Sequence, residues 1–479
     1  MTISSRSTTR LCAALAVVYV GLVTWTLAYF ITRFPLQLSD GASNMLSVAD
    51  ISPGELFLAK ASSGGFFRPL MWPPYRIVMD LSHGAYFAWF KGIQVLQVFV
   101  LLLVFVRWLR VKTPIDLVAL PFAIAVLVGW HTFAGTVREL FPINHFLSIA
   151  ICCLAAAALA AEPRRVVNDV LAVLLFVYAV LTLETGLLVW VILVWAMALG
   201  WRGVSKWAVA LVTAGVAGYV VIRFGWFQTG TPGLIERSSG FGFEVLEPEE
   251  LVRRFGQHPI YFYAYNLVSA TSDALFAEPR AGLWFLTRGL VRHTWEPWML
   301  LNVCCAAGVI ALVLAYGWRR RAAWRAYRLT DADRVVLMLP VVVLANAAFC
   351  YVYIKDVVMS VSGVFIAAAA FVALREVLSE LGRRRLTLGT AVVALALGAL
   401  AGGWAVKEVG IHHSVWRNAV NVRREWAFVD RWLARQSIAL DTPRQRALKA
   451  ALEREALVKS PPPAFPELPW SPAWFDENQ

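Results

Sequence analysis

Charge is what this sequence has little of. Only 16% of its 479 residues are Asp, Glu, Lys or Arg, whereas a soluble globular chain carries about a quarter. The motifs of familiar soluble enzymes are missing too. There is no Gly-rich phosphate loop with its Lys, no His-Glu-x-x-His and no Gly-x-Ser-x-Gly elbow, which excludes the P-loop, zincin and α/β-hydrolase chemistries those motifs carry. Cysteine is absent from every hydrophilic stretch. All six cysteines (Cys12, Cys152, Cys153, Cys304, Cys305 and Cys350) fall inside apolar runs, so neither a disulfide framework nor a thiolate metal site is expected.

What is present is apolar: 59% of the residues, with a mean hydropathy of +0.63. The apolar residues come in long runs, and about twenty such residues cross a bilayer core of about 30 Å. Eleven segments fit: 11–31, 86–106, 115–131, 144–161, 167–183, 187–200, 207–224, 298–316, 335–354, 357–374 and 386–405. The first is too long for a signal-peptide core and lacks a small-residue cleavage site, so it reads as a retained helix. The fold class expected is an all-α polytopic membrane protein of about eleven transmembrane helices.

The net charge of +13 could point to nucleic acid, but its placement argues against that partner. The basic residues cluster in short loops: Arg107, Arg110 and Lys112; Arg164 and Arg165; Arg202 and Lys206; Arg319, Arg320, Arg321, Arg325 and Arg328; and Arg383, Arg384 and Arg385. With Arg6 and Arg10 inside, all five clusters fall on the cytoplasmic side, as the positive-inside rule requires. This holds only if 167–183 and 187–200 form a hairpin around Glu184-Thr185-Gly186 rather than one broken helix. The localisation expected is the inner (cytoplasmic) membrane, with a cytoplasmic N-terminus and an extracytoplasmic C-terminus.

Three hydrophilic pieces then lie outside: 32–85, 225–297 and the tail from 407. The second interleaves aromatics with arginine, as amphipathic helices at headgroup depth do. The tail reads as two short helices near 414–437 and 443–458, followed by an extended Pro-rich end. Ionisable groups near hydrocarbon are costly and mark candidate sites. In the first outer loop these are Asp40, Asp50 and Arg68, the last held extended by Pro69. Asp40 next to Gly41 also fits a turn or a helix cap. Arg138, Glu139 and His145 lie in the outer loop between the third and fourth spans, and Glu184 at the hairpin tip. Arg288, Arg292 and His293 end the second outer piece, and Lys355 lies in the turn before the tenth span. Lys91, near the end of the second span, is expected to snorkel.

These features resemble the C-type (GT-C) superfamily of membrane glycosyltransferases, which includes the protein O-mannosyltransferases and their bacterial relatives. The resemblance covers roughly residues 11–316, with large outer loops after the first and seventh spans. Phe66-Phe67-Arg68-Pro69-Leu70 looks like the aromatic-Arg-Pro-Leu element of several such families. Glu184-Thr185-Gly186 looks like their Lys-Glu-Thr/Ser element, with Leu183 in place of the Lys. The family's acid pair is represented by Asp40 alone, preceded by Ser39.

The resemblance implies inverting transfer of a sugar from a polyprenyl-phosphate carrier to a glycan, lipid or protein acceptor at the outer face. Asp40, with Asp50 as the other acid, would serve as base. Arg68, Arg288, Arg292 and Lys355 would bind the donor phosphate. Glu184, His293, Arg138, Glu139 and His145 would orient substrate. Some relatives bridge two acids with a divalent cation (Mg or Mn), but no metal ligands are assigned here. Membrane lipids are the other expected partners.

The division expected is a catalytic module over 1–316, additional transmembrane helices over 317–406, and an extracytoplasmic helical tail over 407–479. An O-antigen ligase or polymerase, and a lipid-linked-glycan flippase or transporter, remain rival readings. Transporters place ionisable groups at mid-membrane depth, where these spans have few. The topology predicts that alkaline phosphatase fused after residue 407 is active and that a fusion after Arg328 is not. The reverse pattern would overturn the orientation.

Overall fold

A computed structural model of the chain describes residues 5–59, 66–138, 141–228, 237–239, 244–276, 282–351, 354–385 and 387–458. In chain order the helices are α1 (Ser5–Ile31), α2 (Ser43–Val48), α3 (Pro53–Ala59), α4 (Pro73–Leu81), α5 (Tyr86–Leu109), α6 (Pro114–Gly129), α7 (His131–Arg138), α8 (His145–Ala161), α9 (Val166–Thr182), α10 (Leu188–Ala198) and α11 (Lys206–Val220). A strand pair follows, β1 (Arg237–Ser239) and β2 (Glu244–Leu246). The rest are α12 (Pro248–Phe255), α13 (Pro259–Leu275), α14 (Leu283–Arg292), α15 (Pro297–Arg325), α16 (Asp331–Phe349), α17 (Ser360–Leu381), α18 (Leu388–Trp426), α19 (Val429–Arg435) and α20 (Pro443–Val458).

As expected, the described chain is helical almost throughout, a single pair of three-residue strands apart. The segment 225–297 contains the antiparallel pair β1–β2, with Ser238 opposite Val245, beside the three helices α12, α13 and α14.

Among the described residues, seven helices are long and apolar enough to cross a membrane: α1, α5, α11 with its continuation to Trp226, α15, α16, α17 with the turn before it, and α18. Four shorter apolar helices, α6, α8, α9 and α10 with its leading turn, cover the other apolar runs. Helix starts follow local chemistry. Thr113 and Asp116 cap α6 reciprocally, Thr330 and Asp333 do the same for α16, and the Asn144 side chain accepts from the Leu147 amide to start α8. Each cap satisfies amides that an apolar surrounding would leave unpaired.

α17 is the centre of the bundle. Every residue from Val357 to Leu374 is buried, because α6, α7, α8, α15 and α16 all pack on it. A helix that is apolar all round has to be surrounded in this way. α16 and α17 are therefore integral to the core, whereas the apolar first half of α18 is largely exposed. Lys91 also departs from expectation: it is 1% exposed, with its Nζ donating to Gln94 Oε1 at 3.4 Å. It lies inside the bundle, too deep to reach the surface.

The 167–200 region is a tight hairpin. The Gly203 amide donates to the Ala160 carbonyl at 3.0 Å. Asn168 donates to the Gly203 carbonyl at 3.0 Å, and the Ser205 amide donates to Asp169 at 2.7 Å. The start of α9 and the end of α10 are thus at the same end of the molecule. The basic clusters gather there too: Arg107 pairs with Glu162, Arg110 with Asp331, Arg319 with Glu380, and Arg320 with the fully buried Asp333. Arg334 donates to the Leu199 carbonyl at 2.9 Å.

At the other end, the tail differs from expectation. Instead of a separate helix near 414–437, α18 runs unbroken for 39 residues, since 406–413 contains no proline and Gly410 is carried within the helix. α19 and α20 fold back on the first loop. The Trp426 indole donates to the Leu36 carbonyl at 2.8 Å, Thr442 to Asp50 at 2.8 Å, Arg444 to Asp80 at 2.6 Å, and Gln445 to the Leu46 carbonyl at 3.3 Å.

Gly186 makes the hairpin possible, because a Cβ there would run into the Ala179 carbonyl group and the Val180 nitrogen. Gly186→Ala should therefore lower stability by about 2 kcal/mol or more, as backbone overpacking does. Gly218→Ala in α11, where a Cβ would meet nothing within 4 Å, should be neutral or slightly stabilising. Apparent melting temperatures of the two purified variants decide this.

Candidate functional site

The site forms where three chain segments meet at the end of the bundle opposite the basic clusters. The first is Phe66-Phe67-Arg68, fixed by a hydrogen bond from the Leu70 amide to the Leu181 carbonyl at 2.9 Å. The second is the hairpin tip. Leu183 is extended (φ −148°, ψ 152°), and a short 3₁₀ turn from Glu184 to Leu187 follows. The third is the end of α11, where the chain widens into a π-helical turn from Val221 to Trp226. Such wide turns carry side chains out of the ordinary helical register and recur at functional sites.

Arg68 and Glu184 meet across 116 residues of sequence. Arg68 Nε and Nη2 both donate to Glu184 Oε2, at 2.9 and 2.7 Å. Arg223 approaches the other carboxylate oxygen at 3.8 Å and donates to the Tyr219 hydroxyl at 3.3 Å. The side chains of Arg68, Glu184 and Arg223 are only 20%, 12% and 7% exposed. Phe66 lies 4.1 Å from the Arg68 guanidinium and 5.9 Å from that of Arg223. Phe67 packs against Tyr219 and Phe227. The trio faces a cavity of about 210 Å³, whose remaining walls include Phe146, Leu187, Val220, Phe224 and Phe349. Among the described residues that line this apolar-walled cavity, two guanidiniums face one carboxylate, electrostatics that suit an anion.

Asp40 sits on a second π-helical turn, Leu38–Ala42, and is exposed. That turn packs on Pro142: a Cβ on Gly41 would stand 3.1 Å from the proline ring. The buried Tyr75 lies between Asp40 and the rest of the site. Burial and the nearby Asp40 carboxylate push its hydroxyl well above the usual range, against hydrogen bonds from Asn44 and the Ile143 backbone. Its ring is 5.7 Å from that of His145. His145 is buried beside the Met71 carbonyl and within electrostatic reach of Arg68.

The structure thus brings Arg68 and Glu184 into contact and places His145 and Asp40 on the same side. Asp50 is instead tied to the tail through Thr442. Lys355 is exposed and does not line the cavity. Arg288, Arg292 and His293 are exposed on or just after α14, away from the cavity walls. The Arg138 side chain and Glu139 lie outside the described residues. Arg223 is the residue sequence reading missed: it closes an apolar run, where an arginine reads as an ordinary span end. Its signal was the spacing of four from Tyr219, which places both on one helical face.

A second polar group went unmarked as well. Asp273 on α13 is 3% exposed, and neither of its carboxylate oxygens meets a donor. Its backbone carbonyl is 2.6 Å from His131 Nε2. Burial, with the Asp356 charge added, pushes its acid up to about 9 from a usual 3.8.

Among the described residues no three His, Cys, Asp or Glu side chains gather, and Ser39 stands where a second acid would flank Asp40. No family model, curated protein or solved structure matches the chain.

Asp273 makes a pH prediction. Its folded-state acid holds a proton that the unfolded chain releases above about pH 4, so the native state binds more protons between pH 3.8 and about 9. Stability from this group is complete below the lower value and is lost as pH rises through the upper one. Apparent melting temperature should fall across that interval, and Asp273→Asn, which mimics the neutral acid, should flatten the slope. An unchanged slope in Asp273→Asn would show that the carboxyl is already ionised in the fold.

Proposed function

We propose that this chain is a membrane glycosyltransferase of the C type, with about eleven spans, moving a sugar from a polyprenyl-phosphate carrier to an acceptor at the outer face. The observation that carries the reading is the Arg68–Glu184–Arg223 cluster in an apolar-walled cavity, on the same side as the Asp40 turn. A phosphate joined to a long hydrocarbon chain has the two properties that cavity matches. The orientation follows from the basic clusters at the opposite end.

In this reading Glu184 holds Arg68 in place through two hydrogen bonds to one carboxylate oxygen and draws Arg223 alongside. A donor phosphate meets the pair through their positive charge. Asp40 accepts the proton of the acceptor hydroxyl as that oxygen attacks the anomeric carbon from the face opposite the phosphate. The bond between the anomeric carbon and the phosphate oxygen breaks, configuration inverts, and the electron pair leaves with the polyprenyl phosphate. Charge developing on that phosphate is what the two arginines stabilise, in a setting that excludes water and strengthens the interaction. Tyr75 and His145, their rings packed at 5.7 Å with a 53° tilt, stand between Asp40 and Arg68 in this reading and keep the acid from being quenched in an ion pair.

The test is the cell-envelope glycan profile by mass spectrometry, in cells lacking the gene and complemented with wild type or variants. Asp40→Asn should reduce transfer by about 100- to 10,000-fold, the usual contribution of a general base, while the protein still inserts and folds. Arg68→Lys and Arg223→Lys should each lose most transfer, because lysine lacks the planar fork. An unchanged glycan profile on gene loss removes the enzyme reading. Near-normal transfer in Asp40→Asn together with loss in Asp50→Asn moves the base to Asp50.

A further inference from the structure

A second, more polar cleft lies at the far end from the candidate site, among the basic clusters. It has a volume of about 420 Å³ and is framed by the ends of α5, α6, α8 and α16 and the second half of α17. Along α16 it is separated from the outer cavity by the 18 residues between Asp331 and Phe349, roughly 27 Å at 1.5 Å per residue. The two are independent places in the molecule.

Three cations line this cleft: Arg110, Lys112 and Arg375. Two carboxylates answer them. Arg110 pairs with Asp331 at 3.0 Å, and Arg375 approaches Asp116 at 3.7 Å. Both acids are already committed to other donors. Asp116 accepts the Lys112 and Thr113 amides at 2.9 and 2.8 Å. Asp331 accepts the Trp201 indole at 3.2 Å and Arg334 at 2.8 Å. Among the described residues Lys112 pairs with no carboxylate, so the lining carries one net positive charge.

A different kind of group points the same way. The Trp108 side chain lines the cleft, is 5% exposed, and its indole N–H finds no acceptor. A buried N–H donor left unmet costs free energy until something accepts from it. Surplus cation, unmet N–H and spent carboxylates together call for a ligand that is anionic and rich in acceptor oxygens. A carboxylate offers two such oxygens, whereas a phosphate offers three or more to donors spread around a cleft of this size.

We propose that the cleft lined by Trp108, Arg110, Lys112 and Arg375 is a second anion site that binds a phosphate group at the basic end of the bundle. Trp108 ends the apolar run of α5 and Trp201 follows that of α10, and tryptophans at the ends of apolar helices are enriched at membrane–water boundaries. The phosphate therefore comes either from the headgroup of an anionic lipid in the adjoining leaflet or from a soluble phosphate compound. The proposal does not depend on the glycosyltransferase reading, since the cleft and its readout are separate from transfer.

The experiment uses the full chain in nanodiscs. One arm titrates inorganic phosphate against a chloride control of equal ionic strength, in phosphatidylcholine discs. The other arm replaces part of the phosphatidylcholine with phosphatidylglycerol. Apparent melting temperature is read in wild type, Lys112→Gln, Trp108→Phe and, as a control for nonspecific charge, Arg384→Gln, a basic residue of the same end that does not line the cleft.

Wild type should be stabilised in at least one arm, with saturation. Lys112→Gln and Trp108→Phe should each weaken the apparent affinity about tenfold, and Arg384→Gln should leave it unchanged. Response to phosphatidylglycerol alone assigns a lipid headgroup, and response to inorganic phosphate assigns a soluble ligand. No stabilisation in either arm overturns the proposal. So does stabilisation that survives both cleft substitutions, or that Arg384→Gln weakens as much as Lys112→Gln does.

Discussion

An apolar helix pairs its own backbone polar groups and leaves only its ends to carry charge. That constraint organises this molecule. Seven long apolar helices and four shorter ones push nearly every ionisable group to one of two ends. Asp333, fully buried, is held by four donors, accepting from Tyr316, Arg320, Trp324 and Thr330. α17 lies at the centre of the bundle without a charged residue until Arg375, and the helices around it meet one another chiefly through apolar contacts.

At the cavity beside the hairpin tip, one ion pair joins two segments far apart in sequence. Arg68 belongs to a segment with no regular structure, and Glu184 to a hairpin tip; neither position is rigid alone. Two hydrogen bonds from Arg68 to one oxygen of Glu184, with the Leu70–Leu181 backbone bond close by, fix both. Exposed ion pairs contribute little, but this one is largely shielded, so removing either partner would leave a charge facing apolar walls. Arg223 and Asp40 enter from π-helical turns. In both cases a locally wide turn sets a functional side chain where an ordinary helix would not.

The tail adds a second layer. α18 is 39 residues long, about 58 Å at 1.5 Å per residue, nearly twice a bilayer core. Its far end and α20 hold the loop that carries Asp40 through Trp426, Thr442, Arg444 and Gln445. Asp80, shared between Arg76 and Arg444, is the joint: burial would raise its acid, but the two arginines hold it below the usual carboxylate range. Asp50 therefore works as a tether between loop and tail, a role its position in the sequence did not suggest.

Most of the helices were legible in the sequence because twenty apolar residues in a row have few alternatives in chemistry or geometry. The hairpin was legible from charge, since only that parity gathers the basic loops at one end. Arg68 and Glu184 could be singled out one by one, each as a charge beside hydrocarbon, but their pairing could not. Contacts across 116 residues depend on how helices pack, and local composition carries no record of that. Arg223, Asp273 and Trp108 were invisible for a related reason. Each looks like an ordinary residue of its helix, and only the packing decides that one faces a carboxylate, one is buried beside another acid, and one has an N–H with nothing to accept it. Composition and spacing determined that the chain is helical and apolar and where its charges gather; the tertiary structure alone decided which of those charges meet, because that depends on contacts between segments far apart in sequence.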